Sequence, residues 1–396
     1  MKIGSLTLVF PSNDNYGAYL QGYALCKAID QIEGFSATCL PYYGLAHIGE
    51  TSVKYSWQEA CCRYGDKKYS NAFVRTFKRC CHVIRELLRL RKRIGSRQSN
   101  SNIRQLRFKE FAELFQMQGV VFNRPSQLSE ANVDGFIVGS DWVWYVDDSV
   151  GRRGYYGQFE TDKPIFSYAA SFGIQPTEAE DIARVRQFLP NFQNLSCREK
   201  EGTALIQALG YKNAHWDIDP TLLLTSKDWE GVVEKPIEDN YIALYWLPND
   251  DQERVIEYVE RVRAKFPCSK LIVLNPNPIK IRDSIQKAEI GPQDFLGYIK
   301  YARYVVTNSF HGCVFCSLFE TPFSVFPRFK GDSRIQNLLD LTCMQNRMIT
   351  DLSQKDPFEQ SIDWLKVHER IQSRASISQD YLKTVLTTYE ASVTNE

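Results

Sequence analysis

No stretch of this 396-residue chain reaches 18 consecutive apolar residues, which argues against an ordinary membrane-spanning helix. Met1–Phe10 has only a short strand-like apolar run and no secretory n-region and h-region, so the chain reads as cytosolic. There is almost no net charge, a formal +1, which excludes a general nucleic-acid binder and leaves electrostatic preference to local patches. The cysteines number eleven, an odd count, and no pair of CxxC units has zinc-ribbon spacing; reduced cytosolic thiols are expected. The Cys313–Cys316 pair reads as two small buried hydrophobes. No His, Cys or carboxylate cluster has metal-ligand spacing, so neither metal nor cofactor is expected. GxGxxG, the P-loop, internal repeats and low-complexity tracts are also missing.

What remains is the composition of a folded globular protein, 43% hydrophobic and 24% charged, too long for one ordinary core. Strand-like Lys2–Phe10 leads to a helix over about Tyr16–Ile32, with Leu20, Tyr23, Ala24 and Ala28 on its apolar stripe, and then to a strand near Ala37–Pro41. The same rhythm resumes with strands at Gly135–Gly139, Pro164–Ser171 and Leu195–Arg198. It repeats after Asp219, with strands at Tyr241–Trp246, Lys270–Leu274, Tyr304–Thr307 and Pro322–Phe326. The fold class read from this pattern is α/β, two doubly wound, Rossmann-like domains with ligands expected at the carboxyl ends of strands. The boundaries are an N-terminal α/β domain over 1–218 with a basic helical insertion at about 52–119, a C-terminal α/β domain over 219–345, and a helical tail over 346–396.

Chemistry concentrates at strand ends. Val306–Thr307 runs into Asn308, Ser309, Phe310 and His311, and Gly312 is read as the entry to the next helix. Backbone N–H groups, a helix N-terminus and an imidazole would then meet at one point suited to an anion. The plainer reading makes Ser309 a helix cap and His311 the partner of a buried group. Arg198, between a strand and a helix, suits bidentate binding of carboxylate or phosphate, and equally a surface ion pair. Arg334 stands at another helix start. Ser140 and Asp141 end the Gly135–Gly139 strand, where Asp141 is either a base near a hydroxyl or a cap. Asn15 and Tyr16 lie at the first strand-to-helix turn. Between Arg75 and Lys109 twelve Lys and Arg face one acid, Glu86; this basic helical run is either a surface for anionic membrane or a solvated face.

Six blocks, in order, resemble the polysaccharide pyruvyl transferase family across about residues 3–345. They are Asn15–Tyr16–Gly17–Ala18 with Leu20 and Gln21; Gly135–Asp141; Ser167–Gly173; Ser196–Cys197–Arg198–Glu199; Asp219–Leu223; and Asn308–Gly312. The resemblance implies a fold like that of GT-B glycosyltransferases. It also implies transfer of a pyruvyl unit from phosphoenolpyruvate to a sugar hydroxyl pair as a ketal, in surface glycan biosynthesis, with phosphate released and no cofactor. It places His311, Arg198 and Asp141 in catalytic positions. Arg334, Asn15, Tyr16, Ser140, Ser309, Phe310 and Gly312 fall on the substrate side. The implied partners are phosphoenolpyruvate and a saccharide acceptor, with a lipid-linked one and a cytoplasmic location at the inner membrane face in view. Trp142 is a departure, since many members of the family carry Gln after Gly–Ser–Asp. Two rivals stand beside this reading. One is a nucleotide-sugar glycosyltransferase using Glu320 for the ribose; the other is a non-catalytic anion-binding subunit.

Overall fold

The computed structural model describes residues 1–11, 13–43, 98–146, 150–248, 252–328 and 333–393. Its first sheet joins β1 (Lys2–Leu6), β2 (Ser36–Cys39), β3 (Gly135–Gly139) and β4 (Ile165–Tyr168) in the order β2-β1-β3-β4, all parallel. The short pair β5 (Ser196–Cys197) and β6 (His215–Trp216) extends it through bridges Phe166–Asn194 and Ala170–Cys197. The second sheet contains β7 (Tyr241–Tyr245), β8 (Lys270–Val273), β9 (Ser284–Gln286), β10 (Tyr304–Thr307) and β11 (Phe323–Val325). Its order is β11-β10-β7-β8-β9, again all parallel. In each sheet the strand order reverses at one place, between β1 and β3 and between β7 and β10. Such switch points open a crevice at the strands' carboxyl ends.

Helices cover both sheets, as buried parallel strands require. They are α1 (Tyr16–Asp30), α2 (Gln98–Ala112), α3 (Ala179–Phe188), α4 (Lys200–Ala208), α5 (Gln252–Lys265), α6 (Pro292–Lys300), α7 (Phe310–Leu318), α8 (Ser333–Thr342) and α9 (Trp364–Val393). The element order follows the sequence reading closely. Two strands were not legible: β6 is only two residues long, and β9 lies at a sheet edge in a polar segment whose residues are only partly buried or exposed. An edge strand needs only one apolar neighbour, so its sequence carries little alternation. The helical tail is also shorter as a helix than read, since two 3-10 turns, Gln345–Arg347 and Pro357–Glu359, precede α9. From the second lobe α9 returns to the first, where Tyr381 Oη donates to Ser167 O (3.3 Å) and Ser378 Oγ accepts from Ile218 N (3.3 Å).

One apolar core runs through both lobes. Ile137 and Phe166 of the first sheet and Ala243, Ile272 and Val305 of the second belong to it. Tyr16 is the rivet: wholly buried, it stacks on Phe295 at 4.5 Å and its hydroxyl donates to Leu274 O. Burial pushes its hydroxyl up to about 12 despite the opposing charge of Arg104. Tyr16, read from the sequence as substrate-binding, is packed between the lobes.

The basic run is corrected in part. Arg104 is 3% exposed, bonds Asp14, the Tyr16 hydroxyl and Ile290 O, and lies 4.3 Å from the Tyr16 ring centre. Arg107 holds both oxygens of Asp294 from Nη1 (2.6 and 2.5 Å). These two cations tie α2 and α1 to α6. The remainder of that run up to residue 97, with the rest of the 52–97 insertion, lies outside the described residues.

Candidate functional site

Each switch point ends in residues that the sequence singled out, and the lobes bring the two ends together. From the first lobe come the start of α1, the β3 end at Ser140 and Asp141, and the β5 end at Arg198. From the second come the β10 end and the first turn of α7. Asn308 secures that end by accepting from Leu247 N (2.7 Å) and donating to Leu247 O (2.8 Å). Ser309, extended at φ −100°, caps α7 by accepting from Gly312 N (3.3 Å). The helix begins at Phe310, so His311 sits inside its first turn and Gly312 is not the entry. Glycine is needed at 312 for space, since a Cβ there would lie 2.8 Å from Thr307 Oγ1.

His311 and Arg198 meet on one carboxylate. Asp219, fully buried at the end of the first lobe, accepts on Oδ2 from Arg198 Nη1 (2.6 Å) and from Ser140 Oγ (2.9 Å). Its Oδ1 accepts from Thr221 N (3.1 Å) and Thr221 Oγ1 (2.7 Å). His311 Nε2 lies 3.6 Å from the same Oδ2, an ion-pair separation too long for a hydrogen bond. Burial alone would raise the pKa of Asp219. The neighbouring imidazole and guanidinium, with the Thr221 bonds, more than offset this and hold it well below the usual carboxylate range. The reverse holds for Arg198. Burial disfavours its charge, and Asp219, Glu199 and Asp141 raise its pKa above the ordinary arginine value.

Two buried donor positions remain open around this carboxylate: among the described residues, Arg198 Nη2 and His311 Nε2 make no hydrogen bond. Buried polar atoms without partners are rare, and each asks for a ligand or a water. The imidazole is fixed by a close approach from the other lobe. A Cβ on Gly17 would fall 2.0 Å from His311 Nδ1 and 2.5 Å from its Cγ, so the ring rests directly on the α1 backbone. The Arg198 guanidinium lies 4.7 Å from the Phe310 ring centre, and Phe310 is edge-on to His311.

Arg198, Phe310 and Arg334 also share the wall of one cavity with Trp216, Asp219, Leu338 and Leu341. The space left between them is about 20 Å³, room for a single water. Arg334, near the start of α8, is buried and lies 4.7 Å from the Trp142 ring centre. Asn337, one turn on, donates to Glu201 Oε2 of the first lobe (3.0 Å).

The other candidates fall as follows. Asp141 has φ 61° and ψ −173°, a region almost reserved for glycine. Its carboxylate accepts from Trp142 N (3.0 Å) and its carbonyl from Ser171 N (3.1 Å). Asn15 caps α1 by accepting from Ala18 N (3.4 Å) and is itself exposed. Tyr16 is set apart by its burial between the lobes. Glu320 follows the far end of α7, 3.5 Å from His368 Nε2, and is not among the residues lining the cavity. Sequence reasoning missed Asp219 and Glu199 as site members. Both stand inside blocks it quoted; Glu199 is next to Arg198 in sequence, while Asp219 meets that arginine only in the fold.

A sequence model of the polysaccharide pyruvyl transferase family matches residues 15–328. No curated protein sequence matches the chain. Among solved structures, the UDP co-structure of S. aureus MnaA superimposes with a TM-score of 0.50 at 11% identity, covering 98% of this chain and 97% of that one. UDP-GlcNAc 2-epimerase from Methanocaldococcus jannaschii gives 0.48 at 10% identity, with 98% and 100% covered. E. coli heptosyltransferase WaaC with ADP gives 0.39 at 12% identity, with 84% and 90% covered. At these identities the likeness concerns the fold, the two-lobed α/β arrangement of GT-B type.

Proposed function

The chain belongs to the polysaccharide pyruvyl transferase family, and we propose that it moves a pyruvyl group from phosphoenolpyruvate to a sugar hydroxyl pair, releasing phosphate. The observation that carries this reading is the pair of unpartnered buried nitrogens, Arg198 Nη2 and His311 Nε2, on either side of Asp219. A donor bearing a carboxylate and a phosphate supplies acceptors for both. Arg198 and Arg334, which line the same cavity, grip the anionic groups, and the α7 N-terminus adds fixed dipoles. Asp219 does not touch the donor in this scheme; it orients the guanidinium and the imidazole.

The chemistry balances without an oxidant or reductant. The methylene carbon takes a proton, and one sugar hydroxyl attacks the adjacent carbon. The C–O bond to phosphate breaks, and the second hydroxyl closes the ketal. One hydroxyl proton replaces that used at the methyl carbon and the other leaves with phosphate. His311 is the group placed to contact phosphate and move protons, and Asp141 the one to activate the acceptor hydroxyl. Trp216 lines the cavity, so donor binding there should change the protein's tryptophan emission.

The test is phosphate release from phosphoenolpyruvate with a panel of saccharide acceptors, read beside tryptophan fluorescence. His311→Gln is expected to lower turnover by about 10²- to 10⁴-fold, the usual contribution of a positioned acid or base. Unchanged turnover, or phosphoenolpyruvate that leaves both fluorescence and thermal midpoint unmoved, defeats the reading.

Asp141 has its own test. In Asp141→Gly, relief of backbone strain worth about 1–3 kcal/mol offsets the lost cap and the added unfolded-state freedom. Stability should stay within about 1 kcal/mol of the parent in urea, while acceptor-dependent phosphate release falls by about 10²-fold or more. Full activity in a variant of unchanged stability would make Asp141 a cap and nothing else.

A further inference from the structure

Asp141 occupies a backbone region that persists only where neighbouring groups over-determine it, and those groups can be traced. Before it, Ser140 N donates to Tyr168 O (3.1 Å) and Ser140 O accepts from Thr7 Oγ1 (3.1 Å). After it, Ser171 grips both ends of the turn from Asp141 to Trp144. Its N–H donates to Asp141 O (3.1 Å) and its carbonyl accepts from Trp144 N (3.0 Å). Ser171 is wholly buried, and its hydroxyl has two partners of its own. The hydroxyl accepts from Gly173 N (3.0 Å) and donates to Glu199 Oε1 (2.5 Å).

Glu199 is buried and reaches the other half of the site from the same oxygen. Its Oε1 also accepts from Arg198 Nε (3.4 Å), and its Oε2 accepts from Cys197 Sγ (3.6 Å). Two carboxylates therefore bracket the Arg198 guanidinium, Glu199 at Nε and Asp219 at Nη1, and the fork is fixed with Nη2 outward from both. The charges of Glu199 and Asp141 both act to raise the Arg198 pKa, so the turn and the arginine are within electrostatic reach of each other. Helix capping does not account for the burial of Glu199, which precedes α4 without a side-chain cap bond. Charge balance does not account for it either, because Asp219 already pairs with that guanidinium at 2.6 Å.

We propose that Glu199 is a positioning residue that holds the donor arginine and the Asp141 turn in one register, with Ser171 as its link to the turn. The roles of Arg198 and Asp141 in this statement rest on the transferase reading; the mechanical link between them does not. The link suits a reaction in which one group grips an anion while another delivers a hydroxyl to the neighbouring carbon. A shift of about 1 Å between two such groups is enough for a loss of about 10²-fold. Cutting the link leaves both groups present and out of register.

The experiment pairs steady-state kinetics with hydrogen–deuterium exchange on the full chain, in Ser171→Ala, Glu199→Ala and Glu199→Gln. Ser171→Ala leaves the Arg198 contact in place. Phosphoenolpyruvate affinity by calorimetry should stay within about twofold of the parent, while kcat falls by about tenfold or more. Glu199→Ala cuts both branches, so kcat should fall by about 10²-fold or more and donor affinity with it. Glu199→Gln keeps an oxygen for Ser171 and Arg198 and should recover most of what the alanine loses. Peptides covering 140–146 should exchange about tenfold faster or more in the two alanine variants and at the parental rate in Glu199→Gln. Those covering the second-lobe strand Tyr241–Tyr245 should be unchanged in all three, which separates a local release from unfolding. Parental kcat in Ser171→Ala, or parental exchange over 140–146 in both alanine variants, overturns the proposal. A parent that turns over no phosphoenolpyruvate removes the transferase reading alone; the exchange comparison needs no substrate and still decides whether Glu199 holds the Asp141 turn.

Discussion

Arg198→Ala is expected to abolish donor turnover and to destabilise the fold by about 3–5 kcal/mol, the usual cost of leaving a buried charge without its partner. Both effects come from one geometry. Asp219 has no solvent exposure and receives its shortest bond from Arg198 Nη1 at 2.6 Å. Removing the guanidinium strands a carboxylate that Ser140, Thr221 and the more distant His311 satisfy only in part. The same guanidinium presents the free Nη2, so its loss also removes a donor to the transition state, worth about 10²- to 10³-fold in rate.

The two effects separate with further variants. Arg198→Lys keeps the charge but not the planar fork, and should recover more stability than activity. Arg198→Met combined with Asp219→Asn removes both charges and should recover most of the stability and none of the activity. Urea unfolding and phosphate release read the two quantities independently. A stable and active Arg198→Ala protein would show that the Asp219 contact is decorative.

Gly17→Ala carries the second large expectation: turnover reduced by about 10²-fold or more, with a gain in helix propensity of about 1 kcal/mol set against overpacking of about 1–3 kcal/mol where the new methyl meets the buried His311 ring. Alanine is the better helix former by about 1 kcal/mol, and Gly17 lies in the first turn of α1 with no positive φ to defend. On propensity alone the change should help. The obstacle is in the other lobe, where the new methyl would stand 2.0 Å from His311 Nδ1 and displace the ring. A displacement of about 1 Å in a group that must meet a reacting atom is enough for a loss of that order. Parental activity in Gly17→Ala would mean that His311 does not act from the position it holds against α1.

The strength of these effects depends on how firmly the lobes are held. Tyr16, Phe295 and Arg104 join them through a ring stack and a buried hydrogen bond to Ile290 O. The Trp142 ring is covered by Arg334 at 4.7 Å and Arg328 at 5.8 Å.

Much of the architecture was legible in one dimension. Short apolar runs alternating with amphipathic stretches give β1, β3, β7 and β10 and their helices, because parallel strands are buried on both faces and their helices on one. The placement of His311, Arg198, Ser140 and Asp141 at strand ends followed from the same pattern. Local sequence could not distinguish a helix that starts at Phe310 from one that starts at Gly312, since the cap is a matter of which hydroxyl reaches which N–H. Nor could it show that Arg104, inside a basic run, faces inward, or that Arg107 is held by an acid from the other lobe, because their acceptors, Ile290 O and Asp294, are distant in sequence.

The order of residues by itself determined the α/β class, the family and the strand-end positions of the candidate groups, all of which depend on periodicity and on short blocks read along the chain. Only the tertiary structure decided that Asp219 is the meeting point of Arg198 and His311, that Gly17 is the floor beneath the imidazole, and that Tyr16 is packing. Each of those facts is a contact between segments distant in sequence. Such contacts are set by how two sheets face one another, and no local pattern records that distance.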